Sequence, residues 1–483
     1  MGDEAREFLR EECGLAAAID IPMASEIVRD MLQVMQHRGE AGAGIVSSYH
    51  QNIHSYKNLG KVSIVFPKDF DFKNKVPGKV AIGHNRYPTR GSAEELCNIQ
   101  PLLFKDTKYG QLAIAHNGQL VDVNNYRSKL RKNGALFQST SDSETLAHLI
   151  GQSKKKTLED AIASEITKIP LAYSLLIMTK DKLFALRDQH GVRPLSIAKI
   201  FDRYLLASET NAFRIFDDYE FVRDVNPGEM VIFDKKSVRS EKGFKSIHFA
   251  TGKEHWCIFE GIYFSEPRSE YNGYMHEDFR QQCGMKIYNE NNDFFNKLKK
   301  EYENNIFIIP ILDSGKQGAI GFQKVSNIPY KEYFLRRHNA QKSEGRSYTA
   351  STQEEREIIA HMKLDLRKEK VEDKVVITVD DSNVRGTTAR KNNLRLKKAG
   401  AKMIINVFLS PMIKHPCYMG MDHQTQQELI AYKHNEEDIA RETSADKTIY
   451  LSLQGLNDVV TNTYKCDICS GCFGGNYPAK IRN

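Results

Sequence analysis

No apolar run in this sequence approaches the ~18 residues that a bilayer-spanning helix requires. The longest, 306–312, is interrupted by Pro310. The opening stretch, MGDEAREFLREEC, is acidic and lacks the apolar core of a secretory signal, so residence in the cytoplasm is the expectation. There is no internal repeat, no low-complexity segment and no long basic block. The excess of 69 basic over 62 acidic side chains gives a net charge of only +7. The densest cluster, Lys154, Lys155 and Lys156, has no interleaved aromatics and reads as a solvated loop; nucleic acid is therefore not an expected partner, and small anionic ligands suit the charge better. Cysteines number eight, of which Cys13, Cys97, Cys257, Cys283 and Cys417 are scattered and Cys466, Cys469 and Cys472 cluster near the C-terminus. In a cytosolic chain that clustering points to a metal before it points to disulfides.

What is present is enough to fold. With 483 residues, 40% apolar and 27% charged, and a mean hydropathy of −0.51, the chain suits two or three globular domains. Its two halves differ in pattern. From Cys13 to about Ile247, short β-rich runs such as 79–83, 112–116, 173–178 and 230–233 are punctuated by Gly, Asn and Asp. Helical stretches at 25–38 and 143–152 intervene, which predicts an α+β sandwich. From about Glu260 onward, buried-looking strands at 306–312, 375–379 and 403–408 alternate with helical patterns at 276–301, 387–398 and 424–434. That alternation predicts a doubly wound α/β domain. The polar stretch 242–256 reads as the connection.

Residues 375–388 read VVITVDDSNVRGTT, a β-branched strand, two adjacent acids and a turn opening a helix. Asp380 and Asp381 fall at the carboxyl end of the strand, where open α/β sheets bind ligands. Ser382, Arg385, Gly386, Thr387 and Thr388 offer backbone N–H groups, hydroxyls and a helix N-terminus, an anion cradle that fits a phosphate. The acids suit vicinal sugar hydroxyls and can help to hold Mg²⁺. As a generic pattern this is also an ordinary strand-to-helix turn. The whole string, however, resembles the phosphoribosyl pyrophosphate loop of the type I phosphoribosyltransferases, whose acids contact the ribose hydroxyls and whose loop holds the 5′-phosphate.

Cys13, taken alone, reads as a buried small residue. Its company is more specific: HRGEAGAG at 37–44, GHNRYPTRG at 83–91, AHNGQL at 115–120 and STSDSE at 139–144. With EECG around Cys13, these strings resemble the glutaminase domain of the N-terminal-nucleophile (Ntn) amidotransferases. Combined with the later loop, they are similar to the glutamine phosphoribosylpyrophosphate amidotransferase family over nearly the whole chain. The resemblance implies a propeptide at 1–12, a class II glutaminase domain at 13–247 and a phosphoribosyltransferase domain at 248–483. Removing the propeptide makes Cys13 the N-terminus, so that its own α-amine, of pKa about 7.7–8.0, becomes the base for the thiol. By the same resemblance, Asn117 and Gly118 form the oxyanion hole, Arg86 grips the glutamine α-carboxylate and Asp142 receives the α-ammonium.

The C-terminal Cys466, Cys469 and Cys472 by spacing alone allow Zn²⁺ or an iron–sulfur cluster. The string CSGCFGGNYP matches the cluster-containing branch of the family, which implies a 4Fe-4S cluster held by Cys257, Cys417, Cys469 and Cys472, with Cys466 as a spare or rival ligand.

Three departures from the family pattern stand out. Residues 312–315 read Leu-Asp-Ser-Gly, where relatives commonly start with Pro and some carry a hydroxyl in place of Gly315. The segment 336–356, with Lys342, Arg346 and Arg356, is longer than the usual loop that closes over the sugar phosphate and lacks its Asn-Arg-Tyr string. Asn383 replaces an aliphatic residue. The expectation is a two-domain enzyme that hydrolyses glutamine and delivers ammonia to phosphoribosyl pyrophosphate, giving 5-phosphoribosylamine in the first committed step of purine synthesis. Purine nucleotides are the expected inhibitors and a homodimer or homotetramer the expected assembly. The alternatives are a glutaminase with a different phosphoribosyl acceptor and a nucleotide-sensing regulatory protein.

Overall fold

The computed structural model describes residues 13–87, 95–120, 123–169, 171–234, 236–238, 240, 243–336, 364–421 and 425–479. The expected propeptide 1–12 and positions 337–356, with Lys342, Arg346 and Arg356, lie outside them.

Period-2 patterning builds the first unit. In the strand Gly14–Ile19, Leu15, Ala17 and Ile19 point into one core with Val46, Ile82, Ala113, Leu176 and Met178. Ala16 and Ala18 point the other way, onto Val28, Met31 and Leu32 of the helix Ala24–Val34. Each fully buried Leu or Ile side chain here is worth about 1.5–3 kcal/mol. Two sheets result. One runs Glu220–Asp224, Ser196–Ile200, Arg203–Ala207, Gly14–Ile19, Val80–Arg86, Gly42–Tyr49, Asn52–Leu59 from edge to edge. The other runs Lys245–His248, Glu229–Asp234, Lys182–Arg187, Leu171–Met178, Gly110–Leu120, Leu102–Thr107 and is backed by the helices Asp142–Gly151 and Leu158–Ile166. Helix, sheet, sheet and helix make four layers, as the α+β reading expects.

The second unit has a four-stranded parallel sheet in the order Ile306–Pro310, Val375–Asp380, Met403–Phe408, Lys447–Tyr450. All three of the central sheet pairings are parallel, and every residue of Ile306–Pro310 and Val375–Asp380 is buried. Two flanking faces are covered, which is why these strands read as continuous apolar runs.

The structure changes four of the sequence expectations. The helix expected at 25–38 ends at Val34, and a 3₁₀ turn follows at Gln36–Arg38. The Asn85 amide donates to the carbonyls of Leu32 and Met35 at 2.8 and 3.0 Å, which engages acceptors that the next helical turns would use. The helix expected at 276–301 is two helices, His276–Glu290 and Asn292–Tyr302, hinged at Asn291, whose amide caps the Ile287 carbonyl at 2.9 Å. The helix expected at 424–434 is instead two short 3₁₀ turns, Gln426–Glu428 and Ile430–Tyr432, separated by an extended Leu429. There the Ile430 N–H is drawn away to the carbonyl of Val384 at 2.9 Å, so a tertiary bond overrides helix propensity. Finally, the connection read at 242–256 contains Lys245–His248, an edge strand of the second sheet.

Candidate active sites and cysteine cage

Cys13 immediately precedes the strand Gly14–Ile19 and is wholly buried. Its N–H donates to Asn117 Oδ1 at 3.3 Å, and its carbonyl accepts from Arg38 Nε at 3.1 Å. Asn117 and Gly118 lie in the long strand Gly110–Leu120. The Asn117 Nδ2 is buried with no hydrogen-bond partner among the described residues, an unused donor beside Cys13. Gly118 has φ 144°, and a Cβ there would lie 2.0 Å from the carbonyl oxygen of Ala172, so only glycine fits.

Arg86 ends the strand Val80–Arg86 and is 1% exposed. Asp142 opens the helix Asp142–Gly151, and its carboxylate accepts from the Leu120 N–H at 2.9 Å, tying it to the end of the Asn117 strand. Two histidines bridge these elements. His84 Nε2 lies 3.1 Å from the carbonyl oxygen of His116, and His116 Nδ1 lies 3.5 Å from Asp142 Oδ1. Burial lowers His84 to about 3, so it is a neutral hydrogen-bonding strut at physiological pH.

Sequence reasoning passed over Arg38, although it lies in the HRGEAGAG string. Its guanidinium is fully buried between two carboxylates, Glu209 at 2.5 Å and Glu260 at 2.9 Å, and it lies 4.5 Å from the Phe264 ring. Arg193 reaches Glu260 from the other side at 3.2 Å. Burial alone would raise both acids. For Glu209, His37 and Arg38 outweigh it and hold the carboxyl well below its usual range; for Glu260, Arg38 and Arg193 outweigh it and lower the carboxyl. Glu260 opens the turn Glu260–Phe264, which follows the short strand Trp256–Cys257 paired with Ile468–Cys469, so the side chain that fixes the Cys13 carbonyl is itself held by the second unit.

The second site is an open cup of about 360 Å³ at the end of the strand Val375–Asp380. Asp380, Asp381, Ser382, Arg385, Gly386, Thr387 and Thr388 all line it, as do Ser314 and Met421. Burial, then the neighbouring Asp381, pushes Asp380 well above the carboxylate range. The loop is braced from outside: Arg385 Nε donates to Glu428 at 3.0 Å, and Asn383 Nδ2 donates to the Tyr450 hydroxyl at 3.0 Å. Gly386, at φ 75°, precedes the helix Thr387–Lys398, and a Cβ there would meet Ile430 at 2.4 Å. The departure at Gly315 also has a steric reason, since a Cβ would sit 2.0 Å from the Val379 carbonyl oxygen. Tyr87, directly after Arg86, lines the same cup, so the two sites share a wall.

Cys257, Cys417, Cys469 and Cys472 are buried thiols, and none is in a disulfide. Cys257 and Cys469 face each other in a two-residue parallel pairing of Trp256–Cys257 with Ile468–Cys469. Burial first, with repulsion from neighbouring cysteines contributing, raises the thiols of Cys257, to about 12, and of Cys469 and Cys472. The Met419 and Met421 N–H groups both point at Cys417 Sγ from 3.3 Å. Among the described residues no three His, Cys, Asp or Glu side chains draw together closely enough to cage a single ion. Cys466 is only partly buried, and Glu254, Asp467 and Arg187 are the charges that act on it.

Comparison with known proteins agrees with this geometry. The family model described as a glutamine amidotransferase domain matches residues 90–214. Amidophosphoribosyltransferase of Bacillus subtilis is 37% identical, the match covering 98% of this chain and 95% of that protein; that of Methanocaldococcus jannaschii is 36% identical, covering 93% of each. The solved structure of the B. subtilis glutamine phosphoribosylpyrophosphate amidotransferase, complexed with ADP and GMP, superposes with a TM-score of 0.85 at 36% identity over 98% of both chains. A structure described as the allosteric regulatory enzyme of purine biosynthesis gives 0.86 at 35% identity, over 98% of this chain and 97% of that one. With relatives this similar over nearly its full length, an Ntn glutaminase sandwich and a phosphoribosyltransferase sheet in one molecule, the chain belongs to the amidophosphoribosyltransferase family.

Proposed function

We propose that this enzyme makes 5-phosphoribosylamine, pyrophosphate and glutamate from phosphoribosyl pyrophosphate, glutamine and water, the first step of purine biosynthesis. The observation that carries the reading is the shared wall: Arg86 belongs to the Cys13 site, and the next residue, Tyr87, lines the Asp380–Asp381 cup.

At the first site, loss of residues 1–12 frees the Cys13 α-amine to take the thiol proton. The thiolate then attacks the glutamine amide carbon while Asn117 Nδ2 and the Gly118 N–H receive the oxyanion. Arg86 holds the substrate carboxylate and Asp142 its ammonium. Ammonia leaves, and water resolves the glutamyl thioester. At the second site, the Ser382–Thr388 amides and hydroxyls hold the 5′-phosphate, and Asp380 and Asp381 accept from the ribose hydroxyls. Two adjacent buried acids fit a divalent cation, whose charge would keep both ionised; Mg²⁺ held by Asp380 and Asp381 would supply charge neutralisation on the departing pyrophosphate. Ammonia is passed from one site to the other within the protein. Purine nucleotides, whose phosphates suit the same cradle, are the proposed inhibitors, in line with the ADP and GMP on the B. subtilis relative.

The four convergent thiols support membership of the iron–sulfur branch. Cys257, Cys417, Cys469 and Cys472 would hold a 4Fe-4S cluster as a structural rivet between the interdomain turn and the C-terminus.

Anaerobically purified protein with Mg²⁺ and both substrates is the test. Glutamate release that rises with phosphoribosyl pyrophosphate and matches pyrophosphate one for one is expected. Glutamate without pyrophosphate contradicts the reading and points to another acceptor.

A further inference from the structure

Asn383 breaks the family's aliphatic pattern inside the phosphate loop. It is 4% exposed, and an amide so placed destabilises the fold unless it is hydrogen-bonded. Its partner is the Tyr450 hydroxyl, 67 residues away, at 3.0 Å. Tyr450 ends the outer strand Lys447–Tyr450 of the parallel sheet and stacks on Phe408 with ring centroids 5.0 Å apart and planes at 25°. Phe408 in turn lines the cup. The hydroxyl is therefore fixed by the sheet and by the cup wall together.

We propose that Asn383 and Tyr450 form a matched positioning pair that holds the phosphate cradle in its binding shape before a sugar phosphate arrives. An aliphatic side chain at 383 would fill the same space without direction. The amide adds direction: it fixes how the loop is turned about its own axis, and hence where the amides of the Ser382–Thr388 loop aim. The other two braces act at neighbouring points, Ile430 N–H on the Val384 carbonyl and Arg385 on Glu428, but the first holds backbone alone and the second rests on a side chain that is 45% exposed. The Asn383–Tyr450 bond is the buried side-chain link between loop and sheet. Because preorganisation lowers the cost of binding more than it alters the bond-breaking step, the pair governs KM for the sugar phosphate rather than kcat.

This inference rests on the phosphoribosyl reading of the cup, and the test separates the two. Ammonia-dependent pyrophosphate release is measured against phosphoribosyl pyrophosphate for the full-length wild type, Asn383→Leu, Tyr450→Phe and the double variant. Each single change is expected to raise KM about tenfold with kcat held within about twofold, and the double to be no worse than the worse single. Unchanged KM with only a lower melting temperature overturns the pair, as do single effects that simply multiply in the double variant. Should Asn383→Leu fail to fold, Tyr450→Phe, which removes one hydroxyl, carries the same KM test. A wild type that releases no pyrophosphate overturns the reading of the cup instead. The pair is then judged by binding of inorganic phosphate, which both single changes should weaken about tenfold and which an unchanged affinity would refute.

Discussion

The two sites of this molecule are built on opposite plans. The proposed glutaminase site is closed: Cys13, Arg38, Arg86, Asn117 and Asp142 are all buried, Cys13 is hydrogen-bonded to Asn117 and Arg38, and Asp142 to the Leu120 N–H. The phosphoribosyl site is an open cup at the end of a parallel sheet, with its binding groups on one loop and its bracing outside. The difference follows from the chemistry. A thiol attacking an amide needs an oxyanion donor fixed in advance and water kept away from the released ammonia. A polyanionic sugar phosphate needs many amides that converge and room to enter. The closed site also leans on the second unit, because Arg38, which holds the Cys13 carbonyl, is gripped by Glu260.

The comparison breaks most sharply at the nucleophile. Cys13→Ala should lower glutamine-dependent activity at least about a thousandfold and leave synthesis from high ammonia intact. Loss of both would mean that the sites are not chemically separate. Asp381→Ala should cut both routes about a hundredfold, since each needs the sugar phosphate, and steady-state pyrophosphate release reads it directly. Cys469→Ser should abolish the brown absorbance and lower the unfolding midpoint together; a colourless, zinc-containing wild type of full stability would contradict the cluster.

Glu260→Gln sharpens the dependence of the closed site on the second unit. The neutral amide weakens the clamp on Arg38, and glutamine use should fall between about ten- and a hundredfold while ammonia-dependent synthesis stays near wild type. An equal fall in both would make Glu260 a general structural residue.

The smallest effect concerns pH. Burial raises the Glu144 carboxyl, but hydrogen bonds from His148, Ser139 and the Gln138 and Ser139 amides outweigh it and bring the group down to about 2. A depressed pKa means that the contribution is complete above the unfolded value near 4.5 and is lost as pH falls toward 2. Glu144→Gln should therefore cost about 2 kcal/mol at neutral pH, and the gap in chemical denaturation should close as the pH is lowered from 5 to 2.

Much of this was legible in the sequence because the chemistry sits at strand ends and tight turns, where local strings are distinctive. DDSNVRGTT falls at the end of a parallel strand and lines the cup, AHNGQL runs along the strand that holds Asn117 beside Cys13, and Cys469 pairs with Cys257 across two short strands. What stayed hidden depends on partners distant in the chain. Arg38 meets Glu260 across 222 residues, and Asn383 meets Tyr450 across 67. No periodicity records such pairs. The stretch 424–434 misled for the same reason: its apolar spacing suits a helix, but Ile430 is bound to the phosphate loop, and that contact breaks the helical turns.

The central claim is that the closed site feeds the open one inside the protein. Glutamine labelled at its amide nitrogen, supplied with phosphoribosyl pyrophosphate and a large excess of unlabelled ammonium, tests it most directly. Phosphoribosylamine that keeps the label is the predicted result. Label diluted to the level of the bulk ammonium would contradict internal transfer and reduce the molecule to two enzymes that happen to share a chain.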